Sequence, residues 1–194
     1  MRKLKHAEIP RHRPAKLAHI PRHPITVVLD HVRSLHNVGS IFRTSDAAYI
    51  EKVVLTGITG TPDQPALHKT ALGAQDTVPW VYQEDALTVI TNLKAAGYTI
   101  AALEITDSPT PVSAFTEQHF PLCLVVGNEL RGVQETILEQ ADMALEIPQY
   151  GTKQSLNVSV AYGVAALGLV ECYRTYAAQH QWPIPVQPVY SPQT

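Results

Sequence analysis

The chain has 194 residues, of which 45% are hydrophobic and 16% charged, and its formal net charge is −2. This size and composition predict one globular domain and argue against wholesale disorder. No apolar run approaches the roughly eighteen residues that cross a bilayer, and the N-terminus lacks the features of a secretory signal. Cys123 and Cys172 lie far apart in apolar contexts. We therefore expect a cytoplasmic protein with reduced cysteines and no zinc site.

Basic residues are concentrated at the N-terminus. Seven of the fifteen Lys and Arg and four of the nine His precede residue 24, against a single acid. The rest of the chain holds eight Lys and Arg and sixteen acids. A basic arm on an acidic body could contact phosphates. A solvated, poorly ordered tail explains the same charges equally well.

From residue 25, short β-rich runs alternate with longer helix-like runs. The first half of the pattern predicts a strand at 25–30, a helix at 38–49, a strand at 52–57, a long Gly- and Pro-rich loop at 58–75 and an amphipathic helix at 85–97. The second half predicts strands at 98–104, 121–127 and 143–148, a short helix at 133–139, a long helix at 156–178 and an extended or disordered tail at 182–194.

This alternation predicts an α/β fold, a parallel sheet with helices on both faces. In such sheets ligands bind beyond the carboxyl ends of the strands, so the segments after the strands are the candidates for a site. Four polar segments qualify, namely 37–43, 104–107, 127–132 and 148–157.

Several common sites are excluded by their missing motifs. No strand is followed by G-x-G-x-x-G, and GxxxxGK[ST], HExxH and G-x-S-x-G do not occur. The strands are instead followed by sets of Asn, Ser, Glu and Arg residues near glycines. Each set has a purely structural explanation, since Ser155, Asn157 and Ser159 could simply cap a helix. Three such loops at one sheet edge favour a polar ligand site over three unrelated turns.

In chain order, "NVGSIFRTSDA" (37–47), "LVVGNELRGV" (124–133) and "IPQYGTKQSLNVSVAYGVA" (147–165) resemble the three motifs of the SpoU (TrmH-like) RNA ribose 2′-O-methyltransferases of the SPOUT class. The resemblance covers residues 25–175. It implies a C-terminal segment tucked through a loop as a deep trefoil knot, which general topology rules would exclude. It also implies S-adenosylmethionine (AdoMet) as methyl donor, RNA as substrate and an obligate homodimer whose active site draws on both subunits.

The resemblance also assigns site residues. Those matched to cofactor binding, mainly through backbone groups, are Leu103, Gly127, Ile147 and Leu156. Those matched to the catalytic site are Asn37, Arg43, Glu129, Ser155 and Asn157. On this view Arg43 removes the hydroxyl proton or stabilises the alkoxide, and Glu129 and Asn37 hold Arg43 or the ribose. Gly39 would permit a tight turn, and Arg43, one helical turn later, would face the same way.

The predicted organisation is a basic arm at 1–24, a SPOUT methyltransferase domain at 25–178 and a Pro-rich tail at 179–194. The small RNA-binding domain that many relatives carry before this core is not recognisable in residues 1–24. We expect tRNA as substrate ahead of rRNA. Two other interpretations remain, a catalytically silent RNA-binding member of the same fold and an unrelated doubly wound nucleotide-binding enzyme. The absence of a phosphate-binding loop disfavours the last.

Overall fold

The computed structural model describes residues 2–189. The strands are β1 (His23–Asp30), β2 (Ile50–Thr56), β3 (Trp80–Gln83), β4 (Thr99–Leu103), β5 (Pro109–Pro111), β6 (Leu122–Val126) and β7 (Met143–Glu146). The helices are α1 (Pro14–Leu17), α2 (Leu35–Ala47), α3 (Pro65–Ala71), α4 (Ala86–Ala95), α5 (Glu135–Leu138) and α6 (Val158–His180). Within the described part of the chain, no helix has the length and apolar character needed to span a membrane.

All seven strands pair in parallel in the order β3-β2-β1-β6-β4-β7-β5. The central strands are apolar on both sides: Val27 and Leu29 face a core formed with α2, α3 and α6, while Val28 faces one formed with α4 and α5. Burial on both faces is why these strands are continuous apolar runs in the sequence. The predicted parallel sheet with helices on both faces is confirmed.

The strand order determines where the polar loops meet. From β1 the chain first builds β2 and β3 on one side, and the remaining strands then lie on the other side. The carboxyl ends of β1, β6, β4 and β7 are therefore neighbours at one edge of the sheet. A parallel sheet whose strand order reverses beside β1 opens a crevice at that point.

The stretch predicted as a long loop, 58–75, contains α3 and a 3₁₀ turn at Ala74–Asp76. Pro65 occupies the first turn of α3, where its missing N–H costs nothing, and Leu67 and Ala71 are buried. The edge strands β3 and β5 were also not predicted. They have only four and three residues, and β5 contains two prolines, which edge strands tolerate.

Gly39 lies inside α2, so the prediction that it permits a tight turn was wrong. A Cβ at this position would lie 2.2 Å from Thr70 Oγ1 and 2.3 Å from the Leu67 carbonyl oxygen of α3. Gly39 therefore faces α3, and a glycine is needed there because α2 and α3 approach each other closely.

The basic arm meets the amino-terminal edge of the sheet. Tyr49 Oη donates to the carbonyls of Leu17 (2.8 Å) and Ile20 (3.0 Å), which holds the end of the arm against the body. Arg22 donates to the Thr77 carbonyl at 2.7 Å, and its guanidinium lies 4.4 Å from the Tyr49 ring centroid. β1 has eight residues, roughly 26 Å of strand, and its far end is at the polar loops. The arm and these loops thus lie at opposite edges of the sheet.

The start of the tail packs on α6. Arg174 donates to the Val186 carbonyl at 2.6 Å, and Tyr173 Oη donates to the Pro183 carbonyl at 3.0 Å. Residues 182–188 form neither helix nor strand, and the expectation of an extended or disordered tail stays a prediction. The rest of that prediction, 190–194, lies outside the described residues.

His23 gives the fold a predicted pH dependence. It is the one histidine that is buried among the described residues, and its Nδ1 donates to the Ala48 carbonyl at 2.8 Å. Burial, and to a lesser degree the charge of Arg174, lowers the pKa of His23. Below about pH 6.5, the His23 imidazole takes up a proton in the unfolded protein but stays neutral in the folded protein. The free energy of unfolding should therefore decrease as the pH falls from 6.5 toward 5.

Urea denaturation at several pH values measures this effect. We expect His23→Gln, whose side-chain amide can still donate to the Ala48 carbonyl, to flatten the dependence of the unfolding free energy on pH between 5 and 7. Replacement of the exposed His36 by Gln is the control and should leave the slope as it is. An equal slope in His23→Gln and the unchanged protein would contradict the assignment.

Candidate active site

A cleft of about 530 Å³ opens at the carboxyl edge of the sheet. Its walls come from the segments that end or follow β4, β6 and β7 and from the first turn of α6. The four residues predicted to bind a cofactor all line it, together with three of the predicted catalytic residues: Leu103, Gly127, Ile147, Leu156, Glu129, Ser155 and Asn157. The structure thus brings seven of the nine predicted site residues to one cleft.

The loop after β6 is closed tightly on itself. Asn128 and Gly132 exchange backbone hydrogen bonds of 3.0 and 2.9 Å, and Asn128 Oδ1 accepts from the N–H groups of Leu130 and Arg131. A Cβ on Gly127 would lie 2.3 Å from the Val133 nitrogen, so the loop leaves no space for a side chain there. Backbone and not side chain therefore forms this wall of the cleft.

Glu104 fastens this loop to the end of β4. Its Oε2 accepts from the Val133 N–H at 2.8 Å, and its Oε1 accepts from the Ile105 N–H at 2.9 Å. A Cβ on Gly132 would lie 2.1 Å from Glu104 Oε2, so the carboxylate occupies the space that a side chain at 132 would need. The sequence indicated the segment 104–107 but did not single out Glu104. The available signal was an acid directly after a buried strand.

Glu129 connects the loop after β6 to the start of α2. Its Oε2 accepts from the Arg33 N–H at 2.9 Å, and its Oε1 accepts from the Ser34 N–H at 2.9 Å and from Asn37 Nδ2 at 3.0 Å. Burial would raise the pKa of Glu129, but these hydrogen bonds together outweigh it and lower the pKa. Glu129 is therefore ionised at neutral pH, and it acts as an acceptor that positions Asn37.

Asn157 has both of the roles considered for it. Its Oδ1 accepts from the Ser159 N–H at 2.9 Å and caps α6. Its Nδ2 donates to Asn37 Oδ1 at 3.2 Å. A continuous network thus runs from Glu129 through Asn37 to Asn157 and joins the loop after β6 to the starts of α2 and α6. Ser155 is exposed and lines the cleft beside it.

Arg43 lies apart from this network. It is exposed on α2, and it has no hydrogen bond or ion pair within the described residues. It is six positions after Asn37, which places the two side chains about 120° apart around a helix. The predicted contact of Arg43 with Glu129 or Asn37 does not form within one chain. Two residues further along α2, Ser45 faces α6, and its Oγ lies 2.7 Å from Tyr162 Oη.

Comparison with known proteins agrees with this arrangement. Residues 24–167 match the SpoU rRNA Methylase family. The chain belongs to this family. The matched range contains all three residues of the Glu129–Asn37–Asn157 network and the whole cleft, and it ends within α6. The family membership expected from the three motifs is therefore confirmed.

Curated relatives include two 23S rRNA (guanosine-2′-O-)-methyltransferases named RlmB. The protein from Nitrosomonas europaea is 32% identical over 153 residues, which cover 79% of this chain and 57% of that protein. The protein from Haemophilus influenzae is 31% identical over 149 residues, which cover 77% of this chain and 60% of that protein. The chain thus spans about three-fifths of the length of these relatives.

Solved structures show the same fold. The AdoMet-bound rRNA methyltransferase from Sinorhizobium meliloti superimposes with a TM-score of 0.72 at 27% identity, over 83% of this chain and 61% of that one. The TrmH/SpoU tRNA modifying enzyme from A. aeolicus superimposes with a TM-score of 0.76 at 26% identity, over 88% of this chain and 85% of that one.

Proposed function

We propose that this protein transfers the methyl group of AdoMet to the ribose 2′-hydroxyl of an RNA nucleotide. One observation carries the proposal. The cleft at the end of the sheet gathers the four residues matched to cofactor binding, and the Glu129–Asn37–Asn157 network lies directly beside it. Relatives that are named 23S rRNA (guanosine-2′-O-)-methyltransferases, and an AdoMet-bound rRNA methyltransferase of similar structure, support the proposal.

The cleft suits AdoMet in size and in charge. Small-molecule sites commonly measure about 300–1,000 Å³, and this cleft falls within that range. Glu104, Glu129 and Glu146 line it against the single cation Arg131, so a positively charged sulfonium is favoured there. Leu103, Ile147 and Leu156 supply apolar contacts. When bound, AdoMet supplies the electrophilic methyl group.

The protein's own residues orient the hydroxyl and manage its charge. Asn37 is held by Glu129 and Asn157, which leaves part of its amide to position the ribose, with Ser155 nearby. A guanidinium stays protonated up to a pKa of about 12 or more, so Arg43 is better suited to stabilise the alkoxide and bind a phosphate. Arg43 can serve as base only if a contacting phosphate takes up its proton transiently.

The proposed enzyme is a homodimer with shared active sites. The side chains of Val160, Val164 and Leu167 form an apolar stripe along α6, and each is about half exposed. Burial of such a stripe by a second copy is favourable. α2 packs on the same helix through Ser45, two residues after Arg43, and Arg43 does not line the cleft of its own chain. Pairing through α6 would bring Arg43 of one subunit to the cleft of its partner.

A mixing experiment tests the shared site. Co-expressing an Arg43→Ala chain with a chain that cannot bind AdoMet should restore activity to about a quarter of that of the unchanged protein. Half of the dimers are then mixed, and each of those has one complete site. Absence of any restoration, with mixed dimers verified by differently tagged chains, would contradict sharing. In a further experiment, an Asn37→Ala chain is co-expressed with an Arg43→Ala chain. Recovery of activity in that pair depends on which subunit supplies Asn37 to each site.

We also propose the C-terminal trefoil knot and the domain limits that the motifs imply. For the knot, α6 lies between α2 and the β4–β6 connection, because Cys172 Sγ donates to the Val112 carbonyl at 3.5 Å while Tyr162 contacts Ser45. The catalytic domain would span 25–178, between the basic arm at 1–24 and the tail at 179–194.

The substrate would be tRNA first and rRNA second. The A. aeolicus neighbour is a tRNA modifying enzyme, whereas the two RlmB relatives modify 23S rRNA. The basic arm lies at the sheet edge opposite the cleft, so only an RNA that extends across the molecule could reach both. Such an RNA would contact the exposed Lys3, Arg13 and Lys16 through its phosphates.

The decisive experiment is transfer of a labelled methyl group from AdoMet to bulk RNA, followed by mapping of the 2′-O-methyl sites in tRNA and rRNA with and without the gene. The proposal predicts labelled, alkali-resistant dinucleotides. RNA binding without transfer would indicate the catalytically silent member of the fold. Calorimetric binding of NAD or ATP but not AdoMet would instead indicate a doubly wound nucleotide-binding enzyme.

A further inference from the structure

The Glu104 carboxylate supports the wall of the cleft and still has acceptor capacity on both of its oxygens. Each of its oxygens accepts a single backbone N–H, from Val133 and from Ile105. A carboxylate oxygen has about two acceptor positions, so both oxygens can accept a further donor. Glu104 is half-buried and lines the cleft next to Leu103 and Gly127.

Its position in the sheet indicates the donor. Glu104 directly follows β4, one of the central parallel strands, at the carboxyl edge. An acid near the end of a strand is how nucleotide-binding parallel sheets accept hydrogen bonds from ribose hydroxyls. A vicinal diol offers two O–H donors side by side, which matches a carboxylate with a free acceptor position on each oxygen.

We propose that Glu104 determines specificity for the cofactor by accepting hydrogen bonds from the ribose diol of its adenosyl group. The inference rests on the proposed function, because it takes AdoMet as the occupant of the cleft. The backbone bonds to Val133 and Ile105 hold the carboxylate in one orientation, so the diol meets a pre-positioned acceptor.

The other two acids of the cleft are less suited to this role. Glu129 already accepts from Arg33, Ser34 and Asn37, and it belongs to the network on the substrate side. Glu146 ends β7 and has no hydrogen bond from its carboxylate within the described residues, so nothing orients it. Glu146→Gln removes the same charge from the same cleft and is therefore a matched control.

The test is calorimetric binding of S-adenosylhomocysteine and of its 2′-deoxy and 3′-deoxy analogues to the full-length protein. The unchanged protein should bind the diol ligand about tenfold or more tightly than at least one deoxy analogue. Glu104→Gln should weaken binding of the diol ligand by a similar factor. It should change the affinity for the weakly bound deoxy analogue by no more than about threefold relative to the unchanged protein. Glu146→Gln should change all three affinities by one common factor.

Several results would overturn the proposal. One is equal loss for all three ligands in Glu104→Gln, which would assign the residue a purely structural role through Val133. Another is that Glu146→Gln weakens binding of the diol ligand but not of the deoxy analogue, as expected for Glu104→Gln. The total charge of the cleft, and not Glu104 itself, would then be the cause. If Glu104→Gln does not fold, equal affinity of the unchanged protein for the diol and both deoxy ligands overturns the proposal by itself. Failure of the unchanged protein to bind S-adenosylhomocysteine at all would instead overturn the proposed function.

Discussion

Arg43→Ala is expected to reduce methyl transfer by at least about 10²-fold, the effect of removing one group that stabilises developing charge. AdoMet binding should survive, because the residues matched to cofactor binding are Leu103, Gly127, Ile147 and Leu156, whereas the role proposed for Arg43 concerns the hydroxyl and a phosphate. Single-turnover transfer from labelled AdoMet to RNA measures the first effect, and calorimetry measures the second. The combination separates a catalytic role from loss of the cofactor site.

The matched control is Lys69→Ala, which removes an exposed cation from α3, the helix that packs on α2. It should retain the rate of the unchanged protein, since Lys69 points to solvent and contacts neither the cleft nor the network. Near-normal turnover in Arg43→Ala would remove Arg43 from the mechanism. An equal loss of rate in Lys69→Ala would mean that both variants lose rate through weaker electrostatic attraction of RNA, and not through a defect in the chemical step.

Gly127→Ala should abolish AdoMet binding and lower the free energy of unfolding by about 1–3 kcal/mol, the usual cost of forcing extra atoms into a packed site. The new Cβ would lie 2.3 Å from the carbonyl carbon of Gly132 and from the nitrogen of Val133, both of which are backbone atoms. The loop after β6 would have to open. Its backbone hydrogen bonds to the Glu104 carboxylate and to the side chain of its own Asn128 would then be lost. Calorimetric titration and urea denaturation measure the two effects.

Gly151→Ala is the control for this change, because a Cβ at 151 meets nothing within 4 Å although the residue lies in the loop after β7. It should bind AdoMet normally and unfold at the same urea concentration as the unchanged protein. Normal AdoMet affinity in Gly127→Ala would show that the loop after β6 does not form the cofactor site.

The sequence predicted the parts of the fold that carry a strong periodic or apolar signal. The central strands are apolar on both faces, and α4 and α6 have long helical patterns with recognisable ends. The short elements β3, β5 and α3 lack such a signal. Their three to seven residues are ordered by neighbours far along the chain, by pairing with β2 and β7 and by packing on α2.

The site shows the same division. Asn37, Glu129 and Asn157 could be named from the three motifs, but their mutual hydrogen bonds join residues up to 120 positions apart. Glu104 was indicated only as part of a segment, since one acid after a strand is not distinctive until the loop after β6 closes over it. The turn predicted at Gly39 and the contact of Arg43 with Glu129 or Asn37 within one chain were wrong, because helix packing and helical rotation decide where each residue faces.

By itself, the sequence determined the class of fold, the polar segments that meet at the carboxyl edge of the sheet and the family, because local patterning and short motifs are written in consecutive residues. Only the tertiary structure decided which loops touch, that Glu129 is an ionised positioning group, that Glu104 faces the cleft and that Arg43 lies outside it. These are consequences of strand order and helix packing, which depend on contacts between distant segments and leave no local pattern in the chain.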